Sequence, residues 1–116
     1  MDERQALFAF GAMSQETRLR IVRLLVKAGP DGVAAGDIAS AMEVSPSNVS
    51  FHLKELERAG LIAARRASRS IVYSADFEAL SGLIRFLMED CCSGRPEICE
   101  PALAPACCVP AALERA

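Results

Sequence analysis

Residues 45–60 read Ser45-Pro46-Ser47-Asn48-Val49-Ser50-Phe51-His52-Leu53-Lys54-Glu55-Leu56-Glu57-Arg58-Ala59-Gly60, and they carry both ends of a helix. Ser45 is an N-cap, because its hydroxyl can take one of the backbone N–H groups that a helix start leaves unpaired. Pro46 holds the first helical position, where a missing N–H does no harm. Gly60 stands just past the last turn, where the left-handed conformation favours glycine. Between these ends Val49, Leu53 and Leu56 recur at i, i+4 and i+7, one apolar stripe. Just upstream, Gly36 to Met42 reads as a shorter helix with Ile38, Ala39 and Met42 inward, and Glu43-Val44 makes the turn. Two short helices across a tight turn form a helix-turn-helix.

Working outward, Asp2 to Ala12 reads as a helix with Leu7, Phe8 and Phe10 available for packing. Ser14 is expected to cap a second helix, Gln15 to Lys27. Leu19, Ile21, Val22, Leu24 and Leu25 form its broad apolar face, while Arg18, Arg20, Arg23 and Lys27 stay outside. Gly29-Pro30-Asp31-Gly32 stops it. Downstream, Leu61 to Arg66 and Ser70 to Ala75 are strands around the short polar Ala67-Ser68-Arg69, a hairpin. Asp76 opens a last helix, with Phe77, Leu80, Leu83, Ile84, Leu87 and Met88 on one stripe, that ends near Cys91. The order α-α-α-α-β-β-α is mainly α with a β-hairpin wing: a winged helix-turn-helix. In that architecture the fourth helix enters the major groove and the wing's arginines lie along phosphates or the minor groove.

At 116 residues, 52% apolar and 24% charged, the chain is one core-forming domain, neither disordered nor a multidomain enzyme. No apolar run approaches the ~20 residues of a membrane span, and Met1-Asp2-Glu3 is acidic where a secretory signal is basic; a cytoplasmic protein is expected. Charge is uneven. Residues 1–75 carry a net +2 and residues 76–116 a net −4, and Lys54, Arg58, Arg65, Arg66 and Arg69 stand against only Glu55 and Glu57 between Ser45 and Tyr73. Such a stretch is either a polyanion footprint or an ordinary solvated face. Cysteine is more uneven still: Cys91, Cys92, Cys99, Cys107 and Cys108 all fall in the last 26 residues. Pro96, Pro101, Pro105 and Pro110 exclude a long helix there. The organisation is therefore a winged domain over 1–90 and a cysteine-rich, Pro/Ala-rich tail over 91–116. In a reducing compartment clustered thiols suggest metal or redox chemistry rather than structural staples.

Three stretches carry a family resemblance. Phe10-Gly11-Ala12-Met13-Ser14-Gln15-Glu16-Thr17-Arg18-Leu19-Arg20-Ile21 looks like the helix opening of the ArsR/SmtB repressors. Ser47 to Leu56 resembles their recognition helix, and Ala59-Gly60-Leu61-Ile62 with Arg65-Arg66 the entry to their wing. The resemblance covers roughly residues 5–90. It implies a homodimer that binds operator DNA and releases it when an inducer binds. The cysteine motif that the best-known members carry on the third helix is missing: Val33-Ala34-Ala35-Gly36-Asp37-Ile38-Ala39 has no cysteine. The His/Asp zinc sites of the last helix are missing too. Cys91-Cys92-Ser93-Gly94-Arg95-Pro96-Glu97-Ile98-Cys99 resembles instead an arsenic-responsive branch with a vicinal pair after the last helix and a third cysteine shortly beyond.

The chemistry is consistent with that branch, because soft thiolates select soft, thiophilic ions. As(III) or Sb(III) as inducer takes three sulfurs in a pyramid, which Cys91, Cys92 and Cys99 would supply. Zinc sites are usually built from Cys-x2–4-Cys pairs or histidine, and residues 91–116 contain neither. Cys107 and Cys108 are additional thiols that add a donor, bind separately or do nothing. Toward DNA, the candidates are Ser47, Asn48, Ser50, Phe51, His52 and Lys54 on the recognition helix and Arg65, Arg66 and Arg69 on the wing. Asn48 could pair an adenine edge and Phe51 meet a thymine methyl, although Phe51 is equally readable as half-buried core. His52 reads as a helix or DNA-backbone contact, since it has no ligand partners nearby. Leu7, Phe8, Leu80, Leu83, Ile84 and Leu87 are the expected dimer seam, because so small a domain gains from further burial. A thiol redox repressor and a metalloid carrier that binds no DNA are the rival readings. An arsenate-reductase-like enzyme lacks its Cys-x5-Arg loop.

Overall fold

The computed structural model describes residues 1–88. These residues form five helices, α1 (Glu3–Met13), α2 (Glu16–Ala28), α3 (Ala35–Met42), α4 (Pro46–Arg58) and α5 (Phe77–Met88), and a small antiparallel sheet of β1 (Val33–Ala34), β2 (Ile62–Ala67) and β3 (Ser70–Ala75) that packs against α2, α3 and α4. The winged helix-turn-helix is as expected, with one addition. The two-residue β1 pairs with β3, so the sheet order is β1-β3-β2 and the wing is anchored to the body. The anchoring depends on Gly32. Its φ is +79°, and a Cβ there would meet the Tyr73 carbonyl oxygen at 2.6 Å.

Local signals around α4 act as read. Ser45 Oγ accepts from the Asn48 N–H at 3.3 Å, and Pro46 occupies the first turn. At the other end Gly60 has φ +78°. The Gly60 N–H donates to the Glu57 carbonyl and the Leu61 N–H to the Leu56 carbonyl, the paired closure of a glycine-terminated helix. Leu56 and Leu61 are both fully buried beneath it. The Asp76 N–H then donates to the Leu61 carbonyl at 2.9 Å, and Asp76 Oδ1 accepts from the Ala79 N–H. The end of the recognition helix and the start of α5 are thereby joined. The hairpin turns on Ser68-Arg69 with Ser68 at φ +58°, the twist that a two-residue hairpin loop needs.

Ser14 is not the cap of α2. It closes α1, its hydroxyl donating to the Gly11 carbonyl at 2.8 Å, and Gln15 caps α2 by accepting from the Arg18 N–H. Ile21, Val22 and Leu25 of α2 reach the core, but Leu19 is 47% exposed, since the inward arc is only about a third of a helix surface. α1 leaves Leu7 and Phe8 on the protomer surface, where the expected seam requires them. Its alanines, Ala6, Ala9 and Ala12, face inward, which lets the helix sit close to α2 and α4, and Leu7 (66% exposed), Phe8 (47%) and Phe10 point out. On α5, Leu83 is only 4% exposed and belongs to the protomer's own core, not to a seam between protomers. Leu80 is half-buried against the same core. Leu87, one turn beyond Leu83, is 58% exposed, although the adjacent Phe86 still packs against the core. No helix among the described residues is long and apolar enough to cross a membrane.

Candidate nucleic-acid interface

Burying Val49, Leu53 and Leu56 turns the opposite side of α4 to solvent. Ser47, Ser50, Phe51 and Lys54 share that exposed side, with Asn48 at its N-terminal flank. Phe51 is 57% exposed and therefore not core. The wing carries its arginines exposed on β2 and at the turn. They are not equivalent. Arg65 Nη2 donates to the Asp31 carbonyl at 2.6 Å, so it holds the wing to the α2–β1 loop. No hydrogen bond or ion pair commits Arg66 and Arg69 among the described residues. At the C-terminal end of α4, Arg58 is paired with Glu55 at 3.0 Å and lies 5.9 Å from the Phe8 ring centroid.

His52 faces the body, where its Nδ1 accepts from Arg18 Nε of α2 at 3.1 Å. Since arginine Nε is always a donor, the imidazole is held neutral with its proton on Nε2. Burial first, and the Arg18 charge second, keep its pKa below the ordinary 6.5. Of the two roles expected for His52, helix contact is the one the geometry displays. Sequence reading placed Arg18 only on the solvated side of α2, because its contact with His52 spans 34 positions and leaves no local signal.

The arrangement is a solvent-exposed, partly basic surface: a polar helix face with one exposed aromatic, flanked by arginines on a hairpin. Among the described residues no three His, Cys, Asp or Glu side chains gather to hold a metal ion. Cys91, Cys92, Cys99, Cys107 and Cys108 lie outside the described residues, as does the 91–116 tail as a whole.

Known proteins share both sequence and fold. A helix-turn-helix domain family, HTH_20, matches residues 13–65. The HTH-type transcriptional regulator YgaV of Escherichia coli is 34% identical over 88 residues, 76% of this chain and 87% of YgaV. The solved structure of an ArsR-like transcriptional regulator from Rhodococcus sp. RHA1 superposes with a TM-score of 0.64 at 30% identity, covering 72% of this chain and 76% of that one. The chain belongs to the ArsR/SmtB family. A further solved structure, of a possible transcriptional regulator for arsenical resistance, matches at a TM-score of 0.59 and 31% identity over 69% of this chain and 79% of its own. The function of this ArsR/SmtB-family protein is thus DNA-binding transcription regulation, not catalysis.

Proposed function

We propose that the chain is an arsenite- and antimonite-responsive repressor. It binds operator DNA of an arsenic-resistance operon as a homodimer and releases it when Cys91, Cys92 and Cys99 capture one As(III) or Sb(III) per protomer. The observation that carries this reading is the confinement of all five cysteines to the last 26 residues, in two doublets and a single, with none in the DNA-binding part. Soft thiolates in that number favour a soft inducer over zinc or a hard cation. The resemblance to a regulator named for arsenical resistance supports the same inducer class. Dimerisation is supported by the outward Leu7, Phe8, Ile84 and Leu87 on α1 and α5, two helices that pack against each other. An isolated protomer would leave all four side chains in water.

Gathering three thiolates onto one ion just beyond α5 would alter the end of a dimer helix and with it the spacing of two recognition helices. A tenfold loss of DNA affinity needs only about 1.4 kcal/mol of coupling. The test is a mobility-shift assay with DNA from upstream of the coding gene, with and without arsenite. Cys91→Ser, Cys92→Ser and Cys99→Ser should each bind that DNA and ignore arsenite. The Cys107/Cys108 double serine variant should keep most of the response. Release by Cys91→Ser at the parent's arsenite concentration, with no release of the Cys107/Cys108 variant, would move the site to the second doublet. Mass spectrometry of the released protein separates retained arsenic from the hydrogen loss of a disulfide, which would indicate the redox reading.

A further inference from the structure

Arg18 is placed unlike any other cation of the described chain. It leaves the first turn of α2, yet its guanidinium lies against the recognition helix: Nε donates to His52 Nδ1 at 3.1 Å, and Cζ stands 5.5 Å from the centroid of the Phe51 ring. The Phe51 and His52 rings meet edge to face at 5.7 Å, so the three side chains brace one another. Arg20 is paired with Glu16 at 2.7 Å and Arg58 with Glu55 at 3.0 Å. Among the described residues Arg18 has no carboxylate within ion-pairing distance. Its hydrogen bond to His52 uses one of five N–H donors and goes to a neutral ring.

A half-buried arginine whose planar group is fixed by packing, and whose charge no neighbour offsets, is preorganised for an oxyanion. The rotamer freedom that an exposed arginine loses on binding is already gone. The two Nη groups remain for a bidentate contact. The side chain that fixes it, Phe51, is exposed on the same side of α4 as Ser47, Ser50 and Lys54. When this side enters a groove, a backbone strand borders it, and phosphates are the anions available at that flank. We infer that Arg18 is a phosphate-binding residue of the DNA interface, contributed by α2 and held in place by His52 and Phe51. His52 is then a positioning residue, inward-turned and neutral, not a phosphate ligand.

This inference rests on the DNA-binding reading, and one experiment separates the two. Because phosphate contacts ignore sequence, a labelled mixed-sequence duplex suffices, titrated with the full-length dimer between about 50 and about 200 mM salt. Removing one phosphate-binding cation lowers the slope of log affinity against log salt by about 0.9. Arg18→Gln should therefore flatten the slope by about 1.8 per dimer, and its disadvantage relative to the parent should shrink about twelvefold across that range. Arg18→Lys, which keeps the charge, should restore most of the slope. His52→Ala, which removes the brace and keeps the charge, should weaken binding with the slope nearly unchanged. A role confined to tying α2 to α4 would lower the melting temperature of Arg18→Gln and Arg18→Lys alike and leave the slope as in the parent, and that result overturns the proposal. Failure of the parent to bind the duplex at all would overturn the DNA reading itself, and this inference with it.

Discussion

Leu87 and Leu83 sit one turn apart on α5, 58% and 4% exposed respectively, and they should fail in different ways when cut back. Burying a whole leucine is worth about 1.5–3 kcal/mol. With 66% of Leu7 and 58% of Leu87 still exposed in the protomer, a second copy covering both adds about 1–2 kcal/mol for each side chain. Two such residues from each of two protomers make about 4–7 kcal/mol of association energy. The Leu7→Ser/Leu87→Ser variant should then raise the dimer dissociation constant by at least about a thousandfold, with the protomer fold retained. Leu83→Ala should instead lose about 2–5 kcal/mol of folding stability by opening a cavity, with little change in self-association below its melting temperature. Sedimentation equilibrium over a wide concentration range reads the first quantity. Denaturation at a fixed protomer concentration reads the second, a necessary control because dimer stability depends on concentration. If the double serine variant dimerises like the parent while Leu83→Ala falls apart into folded monomers, the assignment of faces on α1 and α5 is wrong.

Two further outcomes follow from the body of the fold. Gly32→Ala should destabilise the protein by more than about 1 kcal/mol, because its Cβ would collide with the Tyr73 carbonyl at a φ of +79°; a chemical melt no different from the parent's would mean that the β1–β3 pairing does not depend on this glycine. His52, its pKa lowered by burial and by Arg18, stays neutral in the folded state while the unfolded chain takes up a proton near pH 6.5. Its contribution to stability is thus present above about pH 6.5 and is lost as pH falls from there toward the depressed folded value. Parent thermal stability should drop more than that of His52→Gln between about pH 7.5 and about pH 5.5, and parallel curves would contradict the Arg18–His52 contact.

The helix-turn-helix and its wing were legible from the chain alone because their determinants are local. A serine cap, a proline at the first turn, a glycine at the C′ position and an apolar stripe at i, i+4 and i+7 each act within a few residues, so the recognition helix folds as its own stretch dictates. The exposed side of α4 follows from the buried one, and so does most of the candidate DNA surface. What faced what elsewhere depended on elements far away in sequence. Periodicity grouped Leu83 with Leu87, and only the way α5 packs on the body separated the buried side chain from the exposed one. It also offered Leu7 and Phe8 for packing, whereas the close approach of α1 to α2 and α4 is made by alanines and leaves the large side chains outside. β1 is too short to announce itself and exists because Gly32 lets the chain pass against Tyr73. Arg18 looked like one more solvated charge on α2. It became part of the recognition surface only when folding brought α2 beside His52 and Phe51, a contact between side chains 34 positions apart that no local propensity encodes.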